Sequence, residues 1–229
     1  MKQTMAKLSQ AHRPRQKLLR DADLYVVTCA AMSRGRTNDE ILAAVIDGGA
    51  RIVQLRDKDV SAGELYEQAL RFRAATQRAG LLLIINDHID IALAVGADGV
   101  HLGQDDLPID AARRLAPDLI IGCSTHSLAQ ALEAQQRGAD YVNIGPIYAT
   151  GTKEHATPLG VDMIRTIRPH LRIPFTVMGG INVDNLADVL DAGARIVAVV
   201  TAVTLADNMV EAVRSLRRRI VDARHENAT

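Results

Sequence analysis

Apolar residues along this chain come in short bursts, separated by longer stretches in which they recur every three or four positions. The bursts are Leu24–Thr28, Arg51–Arg56, Leu81–Asn86, Gly99–Gly103, Leu119–Ser124, Tyr141–Pro146, Pro174–Gly180 and Arg195–Thr201. Each is short and rich in Ile and Val with little polar alternation, the pattern of a parallel strand buried on both faces. Successive starts lie about 18 to 33 residues apart, room for one crossover helix each time. Several spacers carry helix start and stop signals. Thr37-Asn38-Asp39-Glu40 and Ser61-Ala62-Gly63-Glu64 are capping-box sequences, and Gly48-Gly49 and Gly80 stand where those helices should end. Ser127 opens a third helix and Gly138 closes it.

A phrase recurs ahead of the strands: GGARIVQL, VGADGVHL, RGADYVNI and AGARIVAV. A helix-ending Gly followed by Ala, then an apolar strand, repeats the junction of a β/α unit rather than a helical solenoid. Eight such units in about 200 residues predict a single (β/α)8 TIM barrel, an α/β fold, spanning residues 21–220. Residues 1–20 are expected to be a flexible, basic N-terminal extension and residues 221–229 a C-terminal tail. An open doubly wound sheet is the alternative, though no Gly-x-Gly-x-x-Gly turn accompanies it.

Composition narrows the partners. Positive and negative residues balance at 27 each, so the chain has no overall basic field for nucleic acid or anionic lipid. Aromatics are 3% with no Trp, which argues against a base-stacking platform. The first twenty residues hold six Lys or Arg and no acid, without the apolar centre of a secretory signal, and no later stretch is apolar for long enough to span a bilayer. Cys29 and Cys123 lack metal-binding or CxxC spacing and read as a reduced pair, so a cytoplasmic location is expected.

In a TIM barrel the chemistry gathers at the C-terminal ends of the strands. Those ends carry Gln54-Leu55-Arg56-Asp57-Lys58, Asn86-Asp87, Gly103-Gln104-Asp105-Asp106, Ser124-Thr125-His126, Thr150-Gly151-Thr152-Lys153, Gly179-Gly180 and Val200-Thr201. The opposite ends hold mostly Gly-Ala helix stops. Arg56, Lys58 and Lys153 suit a di- or triphosphate-like anion. Asp87 and Asp106, hard oxygen ligands after neighbouring strands, favour Mg²⁺ held jointly with phosphate oxygens. The glycine pair and Val200-Thr201 suggest a second, smaller anion site. Each residue alone also reads as a solvated loop charge or a tight turn; the set reads as an enzyme with two phosphorylated small-molecule substrates. His101 falls inside a strand, as a hydrogen-bonded interior group, whereas His126 falls at the catalytic face.

In order along the chain, QLRDK, IND, GADGVHLGQDDLP, STH, GPIYATGTK, GGI and AVVT together resemble the thiamine phosphate synthase family, over about Leu24 to Asp207. The resemblance implies a (β/α)8 transferase joining 4-amino-2-methyl-5-hydroxymethylpyrimidine diphosphate to a thiazole phosphate, giving thiamine phosphate and pyrophosphate. It implies that Gln54, Leu55, Arg56, Asp57, Lys58, Asn86, Ser124 and Lys153 meet the pyrimidine diphosphate, with Arg56, Lys58, Ser124 and Lys153 catalytic. Asp87 and Asp106 would hold Mg²⁺; Thr150, Gly151, Thr152, Gly180, Val200 and Thr201 would take the thiazole phosphate. The chain departs from the family pattern at Thr201, where Ser is usual, and at Cys29, Cys123 and Met178. A thiazole tautomerase of the same barrel type lacks the pyrimidine diphosphate; Lys58, Asn86, Asp87, Asp106 and Lys153 favour the synthase. A non-catalytic phosphate-binding barrel and an isomerase using Cys29 with Asp57 are the other readings, and a homo-oligomer stays open.

Overall fold

The computed structural model describes residues 12–151 and 157–226. Eight parallel strands close into a barrel in sequence order, β1 pairing with β2 and with β8. The elements run α1 (His12–Asp21), β1 (Leu24–Val27), α2 (Asn38–Asp47), β2 (Ile52–Leu55), α3 (Ala62–Ala79), β3 (Leu82–Asn86), α4 (Ile89–Ala94), β4 (Gly99–Leu102) and α5 (Ile109–Leu115). They continue with β5 (Ile120–Thr125), α6 (Leu128–Gln136), β6 (Tyr141–Ile144), α7 (Asp162–Ile167), β7 (Phe175–Val177), α8 (Leu186–Asp191), β8 (Ile196–Val199), a one-turn α9 (Thr201–Thr204) and α10 (Met209–Glu226). Seven of the eight apolar bursts contain one strand each, and β5 runs one residue past the end of the remaining one. Both capping boxes form: Thr37 with Glu40, and Ser61 with Glu64. Gly80 closes α3 in the left-handed conformation that its position requires, at φ 70°.

Because side chains alternate along a strand, each strand divides between two cores. Val53 and Leu55, Leu83 and Ile85, and Val142 and Ile144 face the helices. Tyr25 and Val27, Ile52, Leu82 and Ile84, Ile120, Tyr141 and Ala198 face inward and fill the barrel. Interior packing alternates large with small, as a tapering barrel demands. A Cβ on Gly122 would come 2.1 Å from the Tyr141 ring, so this glycine makes the room in which the phenol lies across the interior.

The N-terminal mouth is closed by α1. Leu19 and Ala22 are buried among Ile52, Leu82, Ile120 and Ile196. This corrects the expected flexible extension: residues 1–11 lie outside the described residues, but from His12 the chain is a helix whose apolar positions plug the barrel. The expected tail is likewise shorter, since α10 runs on to Glu226, with Ile220 buried and Ala223 packed on the core. Residues 227–229 lie outside the described set.

The same end is clasped by three aspartates set just before strands. The Asp98 carboxylate accepts the Leu83 N–H at 2.9 Å and the Arg73 guanidinium at 2.8 Å. Asp140 accepts the Ile121 N–H at 2.8 Å and pairs with Arg113, while Asp23 takes Arg217 through two nitrogens. The Gly-Ala-Asp phrase is therefore a structural repeat: Gly ends a helix, and Asp joins the new strand to its neighbour. Helix α1 is tied into this belt by Arg15, 3.2 Å from Asp98, and by Gln16, which donates to Asp140 at 2.9 Å. Among the described residues no helix is long and apolar enough to cross a membrane.

If α1 is the plug, Leu19→Ala should lower unfolding stability by about 2–4 kcal/mol, the cost of emptying a buried leucine site. Chemical denaturation measures this. A loss under about 0.5 kcal/mol, typical of a surface position, would show that α1 does not seal the barrel.

Candidate active site

At the C-terminal ends of the strands lies a cleft, open to solvent, to which every strand or the loop after it contributes. Its position follows from the period of two. Gln54 stands two residues past the inward Ile52 and Arg56 two further on; Asn86 follows Ile84, and Ser124 and His126 follow Gly122. In β2, β3 and β5 the lower inward positions are apolar or glycine and the last ones polar, whereas β1, β7 and β8 bring Val27, Met178 and Val200 to the cleft. His101, Asn143, Thr150, Met178 and Val200 complete the wall.

The floor is a connected set of hydrogen bonds. Gln54 donates its amide nitrogen to the Tyr25 hydroxyl at 2.7 Å, and the Tyr25 and Tyr141 hydroxyls are 3.0 Å apart. His101 joins Tyr141 through Nδ1 and Ser124 Oγ through Nε2, both at 2.9 Å. Burial pushes the ionisation of both phenols up, and Tyr25 beside it adds to the rise at Tyr141, so both stay protonated. Thr176 donates to the Asn143 side-chain oxygen at 2.8 Å. His126 is fixed at the wall, its N–H on Gln130 and its Nδ1 against the Gly145 carbonyl.

On one rim the charged groups converge. Lys58 Nζ lies 3.2 Å from Asp87 Oδ2. Asp87 adopts φ 61°, uncommon for a residue with a side chain, and its N–H is held on the His101 carbonyl at 2.8 Å. Such a conformer is kept where the surroundings over-determine it, as they commonly do at functional sites. The Asp106 carboxylate accepts the Gly103 N–H at 2.6 Å. Its pKa is raised, chiefly by burial and then by the adjoining Asp87 carboxylate, with the Gly103 N–H and Lys58 working the other way. Two carboxylates that repel one another are a donor set that a hard divalent cation would relieve. No group of three or more His, Cys, Asp or Glu among the described residues could hold a metal by itself. Two carboxylates alone would leave most of a Mg²⁺ shell to other oxygens, such as those of a phosphate and water.

A small depression adjoins the cleft and shares Thr150, Met178, Gly179 and Val200 with it, adding Gly180 and Thr201. Gly179 and Gly180 have φ 104° and 64°, and a Cβ on either would come 2.4 Å from the loop after β6, at Pro146 or the Ala149 carbonyl. Only glycine lets these two loops meet. Beside them α9 opens at Thr201, leaving its first amides without intrahelical acceptors.

Of the residues expected at the site, Gln54, Arg56, Asn86, Ser124, Thr150 and Val200 line the cleft, and Gly180 and Thr201 its annex. Asp87, Asp106 and Lys58 form the rim, and Gly151 lies near Met32 on the loop after β1. Two side chains point elsewhere. Leu55, the outward partner of Gln54, is buried under the helices. The Asp57 carboxylate turns back to Asn38 and Gln68, at 2.9 and 3.2 Å. These two positions have only main chain to offer, and the Cys29–Asp57 proton-shuttling pair fails, since Cys29 contacts Arg56 instead. Thr152 and Lys153 lie outside the described residues. Cys123 is buried and its thiol is pushed up to about 11, chiefly by burial, which leaves it inert. Tyr25, Tyr141 and Asn143 were missed; their signal was there, as polar groups at alternate positions inside otherwise apolar strands.

Residues 24–203 match the model of a family described as thiamine monophosphate synthase (TMP-TENI). A thiamine-phosphate synthase of Chloroflexus aurantiacus is 52% identical over 198 residues, covering 86% of this chain and 92% of that one. One from Pelotomaculum thermopropionicum is 44% identical, covering 87% and 92%. Among solved structures, a thiamine phosphate pyrophosphorylase from Pyrococcus furiosus superposes with a TM-score of 0.83 at 37% identity, over 92% of this chain and 98% of that one.

The rim yields a prediction that needs no turnover. Asp106→Asn removes the carboxylate repulsion, so the metal-free variant should be as stable as the parent or more so, by at most about 1 kcal/mol for charges this exposed. Mg²⁺ with pyrophosphate should raise the melting temperature of the parent and leave that of the variant unmoved. Equal shifts in both would remove Asp106 from the metal site.

Proposed function

The chain belongs to the thiamine monophosphate synthase family, and from that premise we propose that its cleft joins 4-amino-2-methyl-5-hydroxymethylpyrimidine diphosphate to 4-methyl-5-(2-phosphoethyl)thiazole, or its carboxylated form. Thiamine phosphate and pyrophosphate are the products. The observation that carries this reading is the layout of the site: a cleft lined by Gln54, Arg56, Asn86 and Ser124 and a smaller glycine-walled annex share Thr150 and Val200, and Asn86 in the cleft wall leads directly into Asp87 of the charged rim. Two phosphorylated substrates, one with a diphosphate and one with a monophosphate, would occupy such a pair of sites with their reacting ends together.

In this reading Arg56, Lys58 and Asn86 hold the diphosphate together with Lys153. Asp87 and Asp106 would hold Mg²⁺, which when bound supplies positive charge to the leaving pyrophosphate. The pyrimidine C–O bond breaks first, and the electron-rich ring spreads the positive charge left on its methylene carbon. The thiazole nitrogen then attacks that carbon, and no proton need be removed. Arg56 and the lysines contribute by stabilising charge as it builds on the leaving oxygen, the kind of electrostatic effect that dominates many enzymes. Gln54 and Ser124 meet the pyrimidine ring, and the apolar wall of Val27, Met178 and Val200 keeps water from the cation. Thr150, Gly151, Thr152, Gly180, Val200 and Thr201 hold the thiazole phosphate, largely through main-chain N–H groups. Thr201 in place of Ser leaves such contacts in place.

The test is product formation. Purified protein, both substrates and Mg²⁺ should yield thiamine phosphate, read as fluorescent thiochrome after oxidation, and EDTA should abolish the signal. Asp87→Ala and Lys153→Ala should each lower kcat/KM by on the order of 10²- to 10³-fold with the fold intact. Folded protein that binds the thiazole phosphate and makes no product would overturn the proposal.

A further inference from the structure

The reaction needs no acid or base, yet the cleft floor carries a histidine and two tyrosines. We propose that Tyr25, Tyr141 and His101 form a polarised hydrogen-bond chain that positions Ser124 as a donor and Gln54 as an acceptor toward an aminated heteroaromatic ring. This rests on the pyrimidine site proposed above and names how that site reads its ring.

The argument is one of proton counting. Gln54 turns its amide nitrogen to Tyr25, and an NH₂ group can only donate. Tyr25 therefore accepts there, and its own single proton needs another acceptor. The Tyr141 oxygen, 3.0 Å away, is that acceptor, since the Tyr25 ring is fully enclosed. Having accepted, Tyr141 sends its proton to His101 Nδ1, which must then be bare. A neutral imidazole with bare Nδ1 carries its hydrogen on Nε2, so His101 donates to Ser124 Oγ. The Ser124 hydroxyl, its oxygen occupied by this bond, is left with its own proton for the cleft. At the other end, the Gln54 amide group has committed its nitrogen and keeps its oxygen for the cleft.

Run backwards, the chain fails. If Ser124 donated to His101 and His101 to Tyr141, Tyr141 would donate to Tyr25. The Tyr25 proton would then face an NH₂ group, an unsatisfied polar group in a dry interior, which folded proteins avoid. With the Gln54 amide nitrogen on Tyr25, one orientation satisfies every member, and cooperative polarisation along the chain reinforces it. An acceptor and a donor facing one cleft match a ring that carries both an amino group and a ring nitrogen. The amino N–H is read by Gln54 and the nitrogen lone pair by Ser124. A ring bearing a carbonyl in place of the amine would set an acceptor against the Gln54 oxygen. Gly122 belongs to the device as well, because any larger residue there would displace the Tyr141 ring.

Two measurements test this. In protein labelled with ¹⁵N-histidine, the ring nitrogens of His101 (assigned against His101→Gln) should report a protonated Nε2 and a bare Nδ1 at neutral pH. A protonated Nδ1 overturns the proposal. In steady-state kinetics, Tyr141→Phe should raise KM for the pyrimidine diphosphate on the order of tenfold, the effect of one misdirected hydrogen bond, and leave KM for the thiazole phosphate within about twofold. His101→Gln, whose amide can accept from Tyr141 and donate to Ser124, should retain most of the affinity that His101→Leu loses. Equal changes in both KM values, no change, or a glutamine variant as poor as the leucine one would each overturn it. If the parent protein makes no product, the functional reading fails instead, and the tautomer measurement alone decides the chain.

Discussion

Closing eight parallel strands into a ring leaves each inward side chain with only other inward side chains, and whatever caps the two mouths, for company. The outward residues have helices to pack against and can be almost any combination of Ile, Val, Leu and Ala. Inside, volume is fixed by the circumference, and polar atoms must find partners within that volume. The large Tyr141 is tolerable because its neighbour is Gly122. Its hydroxyl is tolerable because Tyr25 and His101 reach it. The barrel interior is thus sorted by height, hydrocarbon at the bottom and a hydrogen-bonded floor above, with the cleft on top.

The two ends of the ring handle charge in opposite ways. At the N-terminal end each of Asp23, Asp98 and Asp140 is paired with an arginine, and each also accepts a backbone N–H at a strand start. These groups are partnered and serve the closure. At the C-terminal end, among the described residues, two carboxylates adjoin one another. Asp87 and Asp106 face each other with one lysine between two carboxylates, and Asp87 is held in a strained backbone conformation. Such an arrangement costs stability in the free protein and is useful only when a ligand completes it. The contrast between the two ends points to the same end as the proposed site, independently of any likeness to other proteins.

Much of the architecture was readable in one dimension. The capping boxes at Thr37 and Ser61 and the glycine stops at Gly80 and Gly138 are local signals, decided by the residues within one turn of them, and each stands where it was expected. The position of the polar clusters at strand ends follows from period-two alternation. Less readable was the N-terminal segment. Its six basic residues suggest solvation, yet Leu19 is buried, because a barrel mouth offers a helix an apolar seat that no neighbouring sequence reveals. The Asp57 carboxylate illustrates the same limit, since its partners Asn38 and Gln68 are supplied by two other elements.

The sequence by itself therefore determined the eight β/α units, their boundaries, and the strand ends at which functional groups accumulate, since these rest on hydrogen bonds and periodicities between residues close in the chain. Tertiary structure alone decided which groups meet. Tyr25, Gln54, His101, Ser124 and Tyr141 come from five strands, with Tyr25 and Tyr141 116 positions apart, and nothing along the chain orders them into one hydrogen-bonded line. Only ring closure brings them into contact, and only in a dry, crowded interior does every donor have to find an acceptor. That requirement turns five separate polar residues into a single directed chain.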